Sequence, residues 1–154
     1  MSTRVTGASP TLGDVSAPVR DVAYIALGSN LGDRAAHLAA ARAALAALPE
    51  SRILALSKVE ETLPLDGSPQ ESYLNQMVAL ETFLAPRKLL EALLDIERTE
   101  GRVRSRKWAP RTLDIDIVKF EGRTVAEPDF VVPHPELPNR EFWRRELAEV
   151  RIQR

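Results

Sequence analysis

An α+β fold built on an antiparallel sheet is what this 154-residue sequence predicts. Three observations predict it. Apolar runs with strand character alternate with helical runs in the order β-α-β-β-α-β. Both helical runs carry their own start or stop residues. A charged helical tail comes after the last strand. This is the ferredoxin-like order, in which an antiparallel sheet carries its helices on one face. The fold hosts many activities, so by itself it decides little about function.

Residues 1–20, MSTRVTGASPTLGDVSAPVR, are rich in Ser, Thr, Gly and Pro and lack periodicity, which predicts a disordered leader. A single domain is expected over 21–154. VAYIALGS is an apolar, β-prone run, read as a buried strand. GSNLGDR makes a turn, with Asp33 placed to cap the first helix. Arg34 to Leu48 is Ala- and Leu-rich, and Leu38, Ala41, Leu45 and Leu48 recur at helical spacing until Pro49 stops it. RILALSKVEET reads as the second strand, LPLDGSPQES as a loop, and YLNQMVALETFL as the third strand. APRKLLEALLDIERTEG has Pro86 near its start and Gly101 at its end, the expected helix asymmetry. A loop from Arg102 to Thr112 leads into the strand LDIDIVKF. EGR is a turn, FVVP a short strand, and the rest a loop and a charged helix.

Composition excludes several function classes. Twenty-one Lys and Arg against 22 Asp and Glu leave a net charge of −1, too little for a broad nucleic-acid or membrane footprint. An RNA-binding domain of the same fold needs aromatic residues on its strands and a basic surface, and aromatics are 5% here. Cysteine is absent, which rules out disulfides, thiolate catalysis and thiolate metal sites. No apolar signal segment comes after Met1, and no apolar run approaches the roughly 20 residues of a membrane span. The expectation is a cytoplasmic protein that binds neither nucleic acid nor membrane.

Chemistry concentrates in KWAPRTLDIDIV. Asp114 and Asp116 are two apart on a strand, so they share a face, with Ile115 and Ile117 on the other. Two carboxylates on one face repel unless a cation neutralises them. A hard divalent ion does this while also holding phosphate oxygens. A solvated, salt-bridged strand face is the alternative. Arg102, Arg104, Arg106, Lys107 and Arg111 lie in the preceding loop, and arginine suits bidentate phosphate recognition. Acid beside a cationic loop points to metal-bound polyphosphate. Trp108 in that loop either stacks on a flat ring or folds back onto the core. Tyr73 and Asn75 share a strand face, which suits a heteroaromatic ring or ordinary packing. His134, between two prolines, serves structure or a phosphate, and His37 reads as a surface residue. There is no G-x-S-x-G, H-E-x-x-H or P-loop pattern.

Five segments, YIALGSNLGDR, SYLNQMVALET, LLDIERTEGRVR, WAPRTLDIDIV and VPHPELPNREF, resemble in order those of the 6-hydroxymethyl-7,8-dihydropterin pyrophosphokinase family of folate biosynthesis. The resemblance spans about Ala23 to Phe142. It implies a monomeric ferredoxin-like αβα sandwich. It also implies an ATP-dependent pyrophosphokinase that moves pyrophosphate to the hydroxymethyl group of the dihydropterin, releases AMP and uses two Mg²⁺ ions. By match of motif, Asp114 and Asp116 would hold both ions and, with Arg102, Arg104 and Arg111, form the catalytic set. Glu97, Arg104, Trp108, Arg111, His134 and Arg140 would line the ATP site. Thr62, Leu65, Tyr73, Asn75, Trp108 and Phe142 would hold the pterin. Ala109 stands where the family usually has glycine, which would stiffen loop closure. Asp129 and Val131 stand where some relatives have Arg and Thr, which would remove one ATP contact.

Overall fold

The structure is a computed structural model. It describes residues 20–64, 67, 71–101 and 113–151. The expected leader and the Arg102–Thr112 loop lie outside the described residues. Strand β1 (Asp21–Ser29) is buried at every position. It runs antiparallel to β4 (Tyr73–Thr82) on one side and to β5 (Asp114–Phe120) on the other. The far edge of β4 pairs with β2 (Ser51–Leu56) and β3 (Glu60–Thr62). The order β2-β4-β1-β5 is ferredoxin-like, as the sequence predicts.

Both faces of this sheet are covered, which is why β1 is apolar on both sides. On one face, α1 (Arg34–Ala46) and α2 (Pro86–Gly101) bury Leu38, Ala41, Leu45, Leu89 and Leu93 against Ile25, Leu27, Val78, Leu80, Ile115 and Ile117. On the other, α3 (Glu141–Val150) lays Trp143, Leu147 and Val150 over Tyr24, Ala26, Met77, Ala79 and Val118. The element order alone led to helices on one face. The tail helix corrects that, because its spacing of 143, 147 and 150 makes an apolar stripe within a charged sequence. Layered this way, the molecule is the αβα arrangement that the family resemblance implies.

Two further expectations change. The expected second strand RILALSKVEET is two strands, broken at Ser57. Its backbone N–H donates to the Met77 carbonyl at 2.9 Å, while its hydroxyl accepts the Met77 N–H at 2.8 Å. The side chain thus takes a ladder position from the backbone. The register slips by one residue before β3 resumes opposite Asn75. The short strand FVVP is the second half of a hairpin, β6 (Val125–Glu127) and β7 (Phe130–Val132). Arg87 of α2 pins this hairpin by pairing with Glu127 and Asp129, with its guanidinium 5.2 Å from the Phe130 ring centre. Among the described residues, no helix is long and apolar enough to cross a membrane.

Candidate active site

The site grows from strand register. Gly28 stands opposite Asn75 on one side and Asp114 on the other. Two residues earlier, Ala26 stands opposite Met77 and Asp116. These small residues leave a floor between β4 and β5. A Cβ at position 28 would meet the Asn75 Oδ1 at 3.3 Å and the Tyr73 ring at 3.7 Å. Above this floor is a cavity of about 260 Å³, walled by Thr62, Tyr73, Asn75 and Phe142 and closed at one end by Asp114 and Asp116. Asn75 is buried, and its Nδ2 donates to the Thr62 hydroxyl at 2.7 Å. A ring-sized slot with an amide in its wall is suited to a small heteroaromatic.

A second cavity of about 610 Å³ opens on the far side of the two aspartates. Leu90, Leu94 and Glu97 of α2 face Phe130, Val131 and His134 across it. Among the described residues, only Asp114 and Asp116 line both cavities. Ile115 and Ile117 pack into the core, as the period-two reading requires, and also line the second cavity from that side. Glu97 fixes this stretch from α2, because its Oε2 accepts the Ile115 N–H at 2.6 Å, midway between the aspartates.

His134 is held by its own turn. Its Nδ1 accepts the Glu136 N–H at 3.0 Å, so in the neutral ring the proton sits on Nε2. Nε2 faces Asp116 Oδ1 at 3.8 Å, and the ring meets Trp143 edge-on at 5.0 Å. Arg140 caps α3, lays its guanidinium 4.4 Å from the Trp143 ring centre, and lines the first cavity, not the second. Its Nε is buried without an acceptor among the described residues. His37 is not a surface residue. It is half-buried, with Nδ1 3.5 Å from Glu100 of α2.

Two carboxylates facing solvent are a hard, all-oxygen donor pair. No third His, Asp or Glu completes a metal-binding group with them among the described residues. That fits Mg²⁺, which is commonly held by one or two carboxylates with phosphate oxygens and water completing its shell. Leu65, Arg102, Arg104, Trp108 and Arg111 lie outside the described residues. The structure adds Ala26, Gly28, Leu63 and Trp143 to the first cavity, and Leu90, Leu94, Ile115 and Ile117 to the second. Trp143 was traceable in the helical stripe; the small residues of β1 had no signal until paired.

Two cavities that share a pair of acids offer room for two small ligands on one ferredoxin-like sheet. Residues 24–152 match the family model for 7,8-dihydro-6-hydroxymethylpterin-pyrophosphokinase. The chain is 45% identical over 128 residues to the 2-amino-4-hydroxy-6-hydroxymethyldihydropteridine pyrophosphokinase of Methylorubrum extorquens, covering 83% of this chain and 81% of that one. The protein of the same name from Pseudomonas aeruginosa is 42% identical over 82% of this chain and 78% of its own. That from Bacillus subtilis is 39% identical over 86% and 79%. The chain belongs to the 7,8-dihydro-6-hydroxymethylpterin-pyrophosphokinase family, and so to the ATP-dependent pyrophosphokinases.

Proposed function

We propose that the protein transfers pyrophosphate from ATP to the hydroxymethyl group of 6-hydroxymethyl-7,8-dihydropterin in a Mg²⁺-dependent reaction. The observation that carries this is that Asp114 and Asp116, alone among the described residues, line both cavities. Two substrates held one on each side have their reacting ends at those carboxylates.

The pterin is assigned to the first cavity. Tyr73 and Phe142 supply walls for the ring, and the Asn75 amide, braced by Thr62, reads its polar edge. ATP is assigned to the second cavity, with its base among Leu90, Leu94 and Val131 and its phosphates toward the aspartates. At that rim Asp129 is engaged with Arg87, and Val131 lines the cavity beside it. His134 lines the second cavity with Nε2 3.8 Å from Asp116 Oδ1, and Arg140 lines the first. On the motif match alone, Arg102, Arg104 and Arg111 grip the phosphates, and Trp108 and Leu65 close on the ring.

The hydroxymethyl oxygen attacks the β-phosphorus of ATP. A new O–P bond forms, the bond to the oxygen bridging the α- and β-phosphorus breaks, AMP leaves, and the hydroxyl proton passes to solvent. Asp114 and Asp116 would hold Mg²⁺, two ions in this reading, which would neutralise the phosphates and make the hydroxyl more acidic. The chain's own part is to hold both substrates in line and keep the aspartate face rigid through Glu97. No side chain has to act as a general base. The reading includes a monomeric, cytoplasmic enzyme.

The test is incubation of the protein with ATP, Mg²⁺ and the dihydropterin, following AMP and the pterin pyrophosphate. Asp114→Asn and Asp116→Asn are each expected to cut turnover about 100-fold or more while unfolding stays cooperative. Full activity in both variants would sink the assignment.

A further inference from the structure

Glu146 sits in the middle of α3, fully buried, and the proposed reaction gives it no task. Neither side-chain oxygen receives an N–H or O–H from a described residue. What faces it is the carboxyl of Glu60 on β3. Glu146 is cut off from water while the Glu60 side chain is about a quarter exposed, so two charges here repel; one proton between them converts the repulsion into an O–H···O⁻ hydrogen bond. The surroundings decide which keeps the charge. Arg145 Nη2 lies 2.9 Å from Glu60 Oε1, and Lys58 also acts on Glu60. Toward Glu146, the negative field of Glu149 opposes that of Arg145. Burial first, then Glu60, pushes the Glu146 carboxyl up to about 9. Its bond to Glu146 first, with Arg145, holds Glu60 below the usual carboxylate range.

The placement of the pair relative to the first cavity matters more. Glu60 and Thr62 are two apart on β3 and share its face. Phe142 and Glu146 are four apart on α3 and share its face. Thr62 and Phe142 both line the cavity. The carboxyl pair, with the Arg145–Glu60 ion pair beside it, therefore lies one step along from the cavity on the same faces of β3 and α3. β3 has three residues and one strand neighbour, so its position depends on what else grips it. Glu149 of α3 holds the segment leading into β3, accepting the Lys58 N–H at 2.9 Å.

We infer that Glu146 and Glu60 share one proton, and that this bond sets the distance between Thr62 and Phe142, making Glu146 a positioning residue for the ring bound between them. The identity of that ring rests on the pterin reading above; the shared proton does not. As pH rises toward the Glu146 value the proton is lost, the two carboxylates repel, and the walls separate. The sign for stability is the same. A carboxyl raised in the folded state contributes most in acid, and that contribution is lost as pH climbs through its folded value.

The experiment compares the full chain with Glu146→Gln, whose amide donates the same bond at every pH. KM for the dihydropterin and for ATP, and the thermal unfolding midpoint, are measured from about pH 7 to about pH 10. Taking the ratio of the two proteins cancels the substrate's own titration. The wild-type to variant ratio of pterin KM is expected to rise about threefold or more across that range, with the ATP ratio flat. Over the same range the wild-type midpoint should fall relative to the variant. Glu60→Gln, which offers Glu146 an amide donor, should remove the same alkaline loss. Parallel unfolding curves overturn the shared proton. Divergent unfolding with a constant pterin ratio overturns the positioning role. A wild type that turns over no dihydropterin removes the positioning role along with the pterin reading, while the unfolding comparison still decides the proton.

Discussion

Gly28 keeps the floor of the first cavity open by having no side chain, and nothing polar marks it. Its alanine variant places a methyl 3.3 Å from Asn75 Oδ1, inside comfortable contact, and 3.7 Å from the Tyr73 ring. Asn75 cannot swing away freely, because its amide is tied to Thr62 at 2.7 Å. Gly28→Ala is therefore expected to raise the pterin KM about tenfold, equivalent to about 1.4 kcal/mol, and to leave the ATP KM unchanged. Steady-state kinetics with each substrate varied in turn checks this; equal shifts in both would place the residue elsewhere. The contrast with Asp114 and Asp116 shows what single residues reveal in sequence. The aspartates were legible because strand alternation puts them on one face and their charge demands a partner. Gly28 and Ala26 act by absence, and only their cross-strand register with Asn75, Asp114 and Asp116 discloses it.

Between elements, Glu97 is the joint that fixes β5 to α2. Its carboxylate takes the Ile115 N–H, a backbone donor at the half-buried head of the strand. Glu97→Ala orphans that donor, costing about 1–3 kcal/mol. In a domain of this size the unfolding midpoint should drop by about 2–10 °C. Turnover should fall too, because Ile115 lies between the aspartates. Glu97→Gln keeps a carbonyl acceptor and is expected to hold its midpoint within about 1 °C. Equal destabilisation in both variants, read by thermal unfolding, would show that the acceptor is not what matters. Element ends were legible wherever a side chain writes them. Asp33 caps α1 by accepting the Ala36 N–H at 3.0 Å, and Pro86 opens α2. The break between β2 and β3 was not, because Ser57 substitutes for a ladder group without altering the hydropathy pattern.

Across the whole molecule, the second core stands or falls with α3. The sequence shows this helix as a charged tail, and its arginines and glutamates hide a stripe of Trp143, Leu147 and Val150. The same helix carries Arg140 and Phe142 into the first cavity, so one element closes a sheet face and builds a wall of the site. Each of its three apolar side chains is worth about 1.5–3 kcal/mol when fully buried, or about 4.5–9 kcal/mol together. Whole-domain stabilities are about 5–15 kcal/mol, so the helix supplies a share the domain cannot lose. Ending the chain at Arg140 would also bare Tyr24, Ala26, Met77, Ala79 and Val118 on three strands. The truncated protein is expected to lose its cooperative unfolding transition and to bind a hydrophobic dye, with no pyrophosphokinase activity remaining. Leu147→Ala, which removes about 2–3 kcal/mol from the same interface, should still unfold cooperatively at a lower midpoint. Calorimetry on the three proteins decides the matter: a truncated chain that keeps a sharp transition near the wild-type midpoint would reduce α3 to a peripheral cover and leave the sheet stable on one core alone.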